Sequence, residues 1–165
     1  MASIGIGLIG TGFMGKAHAL AFGAVRAVMG DVPDVRLELL CDTPADKART
    51  MADQFGFARD TDDWKALIAD PAVDIVSITT PNSLHFDMAL AAIAAGKHVY
   101  CEKPLSTTLK SAQRMTTAAK EAGVVTMVGF NFLRNPMIRL ARELIEAGEI
   151  GEIVSFRGRH AENYM

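Results

Sequence analysis

Residues 4–15 read Ile-Gly-Ile-Gly-Leu-Ile-Gly-Thr-Gly-Phe-Met-Gly, and this stretch decides the fold. Ile4, Ile6, Leu8 and Ile9 form a short aliphatic run suited to a strand buried on both faces of a parallel sheet. Glycines follow at positions 10, 12 and 15, and each omitted side chain has its own reason. Gly10 permits a tight turn, Gly12 lets the backbone approach an anionic ligand, and Gly15 lets the next helix pack closely on the strand. Met14, Ala17, Ala21, Val25 and Val28 then recur at near-helical spacing, which predicts an amphipathic helix. A strand, a G-x-G-x-x-G turn and a helix in succession form a dinucleotide fingerprint, with the pyrophosphate at the helix N-terminus. A ligand-free strand-to-helix turn is the plainer alternative, and the flanking elements weigh against it.

Working outward, Gly30 to Asp34 is a turn-rich break, and Val35 to Cys41 predicts a second strand ending at Asp42. An acid at that position accepts hydrogen bonds from the adenosine ribose. The interval from the glycine turn exceeds the usual ~20 residues, and the Gly30–Asp34 insertion accounts for the excess. Asp42 also stands before a helix begun by Pro44, whose inner face is expected at Ala45, Ala48, Ala52 and Phe55. Asp42 is expected to favour NAD over NADP, and Arg49 would relax that preference if it swung across from the helix to pair with a 2′-phosphate.

The alternation continues down the chain. Phe57 to Arg59 is read as a short third strand, Trp64 to Ala69 as a helix capped by Thr61-Asp62-Asp63, and Val73 to Thr79 as a fourth strand. Thr80, Pro81 and Asn82 follow it, where the ends of parallel strands face a ligand crevice. A helix over about Ser83 to Ala95 carries His85 in its first turn. Packing or hydrogen bonding is the plainer role for that histidine, and His18 and His98 receive no chemical role. His98 to Cys101 is strand five, ended by Glu102-Lys103-Pro104. A helix over about Thr107 to Glu121 and a sixth strand at Val124 to Phe130 complete the pattern, which predicts an α/β, doubly wound parallel sheet. Beyond it, Met137, Leu140, Ala141, Leu144 and Ile145 predict a further helix, and Ile150 to Arg159 a strand.

Composition narrows the partners. Of 165 residues, half are hydrophobic and 22% charged, with a net charge of -2, which favours small molecules over nucleic acid or an anionic membrane. Cys41 and Cys101 each end an apolar run and read as small buried residues in a reducing compartment. No run reaches the length of a membrane span and no basic leader precedes the first strand, so a cytoplasmic location is expected. No metal site is expected.

Three stretches together, LIGTGFMGKAHA, TTPNSLHFDMALAAIAAGKHVYCEKPLS and LIEAGEIGEIVSFRGRHAEN, resemble the glucose–fructose oxidoreductase, inositol dehydrogenase and MocA-like oxidoreductase family over nearly the whole chain. Glu102-Lys103-Pro104 is its most specific short signature. The resemblance implies a Rossmann domain over residues 1–130, then the connecting helix and first strand of a truncated second α/β domain over residues 131–165. That second domain would carry much of the substrate pocket and a homo-oligomer interface. The cofactor-binding set so implied is Gly10, Thr11, Gly12, Phe13, Met14, Gly15, Asp42, Thr80, Pro81, Asn82, His85, Glu102 and Lys103. Lys103 is also the expected catalytic residue, beside the nicotinamide and the reacting carbon.

The expected function is the NAD-binding part of an oxidoreductase, with NADP possible, moving hydride between the cofactor and a sugar, polyol or related hydroxy compound. An aspartate and a histidine that the family draws from its second domain fall downstream of residue 165, so this chain alone is expected to be inactive. A dinucleotide sensor without enzymatic activity is the alternative, because a fold does not establish chemistry. A methyltransferase would explain neither Gly15 nor Glu102-Lys103-Pro104.

Overall fold

The computed structural model describes residues 3–159 and 161. The chain divides between Gly129 and Phe130 into two compact units. In the first, strands and helices alternate: β1 (Ile4–Ile9), α1 (Phe13–Met29), β2 (Val35–Cys41), α2 (Ala45–Phe55), β3 (Arg59–Thr61), α3 (Trp64–Ala69), β4 (Ile75–Ile78), α4 (His85–Ala94), β5 (His98–Cys101), α5 (Leu109–Ala122) and β6 (Thr126–Val128).

The strands pair in parallel in the order β3-β2-β1-β4-β5-β6. Chain order reverses between β1 and β4, and in such sheets a crevice opens at that point beyond the strands' C-terminal ends. Side chains of successive strand residues pack on opposite faces. Leu8 and Leu40 pack with Ala19, Ala48, Ala52 and Phe57 on one face. Ile9, Leu39 and Cys41 pack on the other with Val76, Ile78, Met88, Ile93, Val99 and Met115.

Local chemistry ends the helices where the turn residues stand. Asp63 Oδ1 accepts from the Lys65 N–H at 2.8 Å to start α3, and Thr108 Oγ1 accepts from the Ser111 N–H at 3.2 Å to start α5. Gly56 and Gly123 terminate α2 and α5 in the left-handed conformation.

Two details of this unit differ from the sequence reading. The third strand lies at Arg59–Thr61, because Phe57 turns into the core beside α2 instead of pairing. The inner face of α1 is Gly15, His18 and Ala19, with Phe22 and Val25 half-buried, while Ala17, Ala21 and Val28 are exposed. Hydrophobicity alone misplaced that face, because its closest contacts are made by a glycine and a histidine.

The second unit holds a short 3-10 turn (Asn131–Arg134) and α6 (Pro136–Glu146), whose first turn Asn135 caps by accepting from the Met137 N–H at 2.9 Å. The strand expected over Ile150 to Arg159 is not formed: residues 151–159 carry no regular secondary structure. A strand is completed by a neighbour's backbone groups, and among the described residues this segment has no partner strand. Residues 160 and 162–165 of the quoted tail lie outside the described residues.

Candidate dinucleotide-binding site

The glycine turn is built as its spacing requires. Gly10 has φ of 93°, a left-handed value that a β-carbon disfavours, and its N–H donates to the Cys41 carbonyl at 2.8 Å. A β-carbon on Gly15 would overlap the Gly10 carbonyl oxygen, so only glycine lets α1 sit this close to β1. An added β-carbon on Gly12 would meet no protein atom within 4 Å and would stand in open space at the head of the helix. Among the described residues no side chain caps α1, and its first turn holds no acid. Its free N–H groups and positive dipole end are therefore available to an anion.

Thr79 secures this turn from the neighbouring strand end. Its hydroxyl lies 3.0 Å from the Ile9 carbonyl and 2.8 Å from the Gly10 carbonyl, both of which can only accept. In sequence, Thr79 reads only as the last residue of a strand. A threonine directly after a strand that neighbours the glycine turn was the available signal.

A cavity of about 740 Å³ opens at the switch point, within the size range of small-molecule and cofactor sites. Gly10, Thr11, Gly12, Phe13 and Met14 line one wall, Asp42, Thr43 and Lys47 the second, and Thr79, Thr80 and Pro81 the third, with Trp64 and Leu84 adding apolar surface. Of the thirteen residues expected at a cofactor, those from the glycine turn, Asp42, Thr80 and Pro81 thus meet at one cavity, with Gly15 packed just behind it. Asn82, His85, Glu102 and Lys103 do not line it.

Asp42 is held from several sides. Its Oδ2 accepts from the Thr11 N–H at 2.8 Å, from the Thr11 hydroxyl, and from Lys47 Nζ at 2.8 Å, while Oδ1 accepts from the Thr43 N–H at 2.6 Å. Burial pushes this carboxyl up, but hydrogen bonds from Lys47, Thr11 and Thr43 outweigh it and hold the group below the usual carboxylate range. Asp42 is thus an anchored anion with one lone pair of Oδ1 left for a ribose hydroxyl. Lys47, not Arg49, is the cation at this wall: Arg49 lies exposed on α2 and does not line the cavity. Sequence spacing does not separate the two, since only the helix phase decides which one faces Asp42.

His85 corrects one expectation. It is fully buried, with Nδ1 2.9 Å from the Pro104 carbonyl and Nε2 2.9 Å from the Thr80 carbonyl. The ring nitrogens face backbone carbonyls of the loops after β4 and β5, and the ring does not line the cavity. Glu102 is likewise buried, and its Oε2 accepts from the Lys103 N–H at 3.1 Å. Lys103 itself is exposed. Because Ile78 and Cys101 are register partners and the Glu102 N–H donates to the Ile78 carbonyl at 2.9 Å, Lys103 leaves the sheet at the same end as Thr79 and Thr80. Cys41 and Cys101 are free, buried thiols, each pushed up to about 12 chiefly by burial.

Among the described residues, no helix is long and apolar enough to cross a membrane. Residues 4–130 match the model of an oxidoreductase family described as having an NAD-binding Rossmann fold. The chain is 42% identical over 165 residues to levoglucosan dehydrogenase of Pseudarthrobacter phenanthrenivorans, covering 99% of this chain and 42% of that protein. It is 35% identical over 158 residues to inositol 2-dehydrogenase of Salmonella paratyphi B, covering 93% of this chain and 45% of that one. The fold superposes with a TM-score of 0.88 on a levoglucosan dehydrogenase solved in complex with NADH and levoglucosan, at 42% identity, covering 91% of this chain and 41% of that chain. The chain therefore spans less than half the length of these relatives. With its glycine turn, its strand order and its acid after β2, it belongs to the Gfo/Idh/MocA oxidoreductase family and represents that family's NAD-binding Rossmann portion.

Proposed function

We propose that this chain is the cofactor-binding part of an NAD-dependent dehydrogenase that oxidises a hydroxyl of a sugar, polyol or related compound. Residues 1–130 would form the dinucleotide domain and residues 131–165 the start of a substrate domain. The observation that carries the reading is that the glycine turn and an anchored Asp42 line one cavity at the sheet's switch point. The cavity fits the group: uncapped helix N–H groups for the pyrophosphate, Asp42 Oδ1 for the ribose, and Thr80 and Pro81 along the path toward β5. Sugar and polyol relatives support the substrate class.

When bound, NAD supplies the hydride acceptor. The chain's own residues bind and orient it, and Lys103 acts at the reacting oxygen. As the hydroxyl proton is lost, negative charge grows on the substrate oxygen before it collapses into the new carbonyl, and an ammonium there stabilises that charge or takes part in moving the proton. An exposed lysine on a flexible stem at the end of β5, two strands from the glycine turn, suits that task. Calorimetric titration with NAD, followed by NAD-reduction assays of the full-length protein on a sugar and polyol panel, tests the reading. Saturable binding with turnover of a panel member is the expected result; absence of NAD binding overturns it.

A further inference from the structure

One buried polar cluster lies outside the cavity and is not used by the proposed hydride chemistry. His18 of α1 is 6% exposed, with Nδ1 2.8 Å from Ser77 Oγ in β4 and Nε2 3.1 Å from Glu102 Oε1. Ser77 and Glu102 are themselves buried, and His18 stacks on Tyr100 with ring centroids 4.6 Å apart. A serine, a histidine and a carboxylate in a row have the composition of a hydrolytic triad. Burial of all three leaves no path for a substrate, so the row has another use.

With Glu102 Oε1 as acceptor, Nε2–H donates to it, and Nδ1 is left to accept the Ser77 hydroxyl. This arrangement satisfies a neutral ring completely. Burial holds His18 below the ordinary imidazole range despite the Glu102 hydrogen bond and charge, in keeping with that neutral form. The other oxygen, Glu102 Oε2, accepts from the backbone N–H of Lys103 at 3.1 Å. A β-carbon on Gly129, just after β6, would crowd the same carboxylate, so glycine there leaves room for it. The result is a chain of contacts from α1, the helix that heads the cavity, through His18 and Glu102, to the peptide nitrogen of Lys103.

We propose that His18 is a positioning residue: it fixes Glu102, and through it the Lys103 backbone, relative to the glycine-turn helix. This rests on the reading of Lys103 given above. The ammonium ends a stem of several rotatable bonds, so its placement depends on a fixed Cα. A displacement near 1 Å at a reacting group costs on the order of a hundredfold in rate. Glutamine at position 18 offers an amide oxygen to Ser77 and an amide N–H to Glu102, whereas leucine offers neither.

The test compares His18→Leu, His18→Gln, Lys103→Met and the double variant His18→Leu/Lys103→Met in the full-length protein, by kcat, calorimetric NAD affinity and amide hydrogen exchange at Lys103. We expect His18→Leu to lower kcat at least tenfold with NAD affinity within threefold of the parent, and to speed exchange of the Lys103 N–H. His18→Gln should restore both to within threefold, and His18→Leu should cost nothing further in the Lys103→Met background. Parental kcat and exchange in His18→Leu, or losses that add in the double variant, overturn the proposal. Should Lys103→Met keep parental turnover, the reading of Lys103 falls, while the exchange rate still decides whether His18 holds the loop. Should His18→Leu not fold, Ser77→Ala carries the test: faster Lys103 exchange supports the proposal and parental exchange overturns it.

Discussion

Lys47 Nζ lies 2.8 Å from Asp42 Oδ2, so the carboxylate that ends β2 meets the cavity as half of an ion pair. A bare carboxylate would accept from ribose hydroxyls and repel a 2′-phosphate. A paired one still accepts through Oδ1, but the ammonium beside it weakens the repulsion.

Cofactor choice should follow from that pair. NAD is expected to bind more tightly than NADP; Lys47→Ala should widen the preference, and Asp42→Ala should narrow or reverse it. Each change is expected on the order of tenfold, about 1.4 kcal/mol. Calorimetric titration of both cofactors against the three proteins checks it, and tighter NADP binding by the parent would sink the idea.

At Lys103, substitution by methionine nearly keeps the stem and removes the charge. Turnover of the full-length enzyme should fall by a hundredfold or more while NAD affinity stays within threefold, the pattern of an interaction made in the transition state. Steady-state kinetics beside calorimetry separate the two quantities. Equal turnover would return Lys103 to an ordinary exposed lysine.

His18 also predicts a pH dependence of stability. Its folded value lies below the ordinary imidazole value of 6.5, burial being the main cause. Below 6.5 the unfolded chain takes up a proton that the folded chain resists, so this contribution is present above pH 6.5 and is lost as pH falls. Denaturant unfolding from pH 7.5 to 5 should therefore show a decline that His18→Gln flattens. Parallel curves would contradict the assignment.

The sheet order and crevice were readable because they rest on local signals: aliphatic runs of strand length, glycines at fixed offsets, and an acid after the second strand. Gly10 and Gly15 take the close-packed turn geometry that their spacing predicts, and Asp42 lines the crevice. What escaped the reading depends on which residues a third element brings near. Thr79 reaches the glycine turn only because β4 pairs with β1, and Lys47 reaches Asp42 only through the phase of α2. His18 and His85 looked alike as isolated histidines. One was buried against a carboxylate 84 residues away, the other between two carbonyls. The strand expected after Gly148 failed for a related reason, since pairing needs a neighbour that no local pattern supplies.

The final prediction concerns the 165-residue chain by itself: it should bind NAD at one site and fail to oxidise any sugar or polyol. Binding is expected because every wall of the cavity, from the glycine turn to Pro81, belongs to the unit that ends at Gly129. That unit has apolar side chains packed on both faces of its sheet, which supports folding without help. Gly15→Val provides the control. Its side chain would strike the Gly10 carbonyl, so NAD binding should be lost along with about 1–3 kcal/mol or more of stability. Turnover asks for more than this unit offers. Lys103 is exposed, and hydride transfer calls for a site that excludes water and supplies a positioned base as well as an ammonium. The family resemblance implies that an aspartate and a histidine for that purpose would come from a second domain, and the chain spans only 42% of its levoglucosan dehydrogenase relative. Calorimetry with NAD and an NAD-reduction assay on the polyol panel decide the matter. Binding without reduction is the expected outcome, and reduction above background by the purified chain would show that Lys103 and the cavity suffice for catalysis.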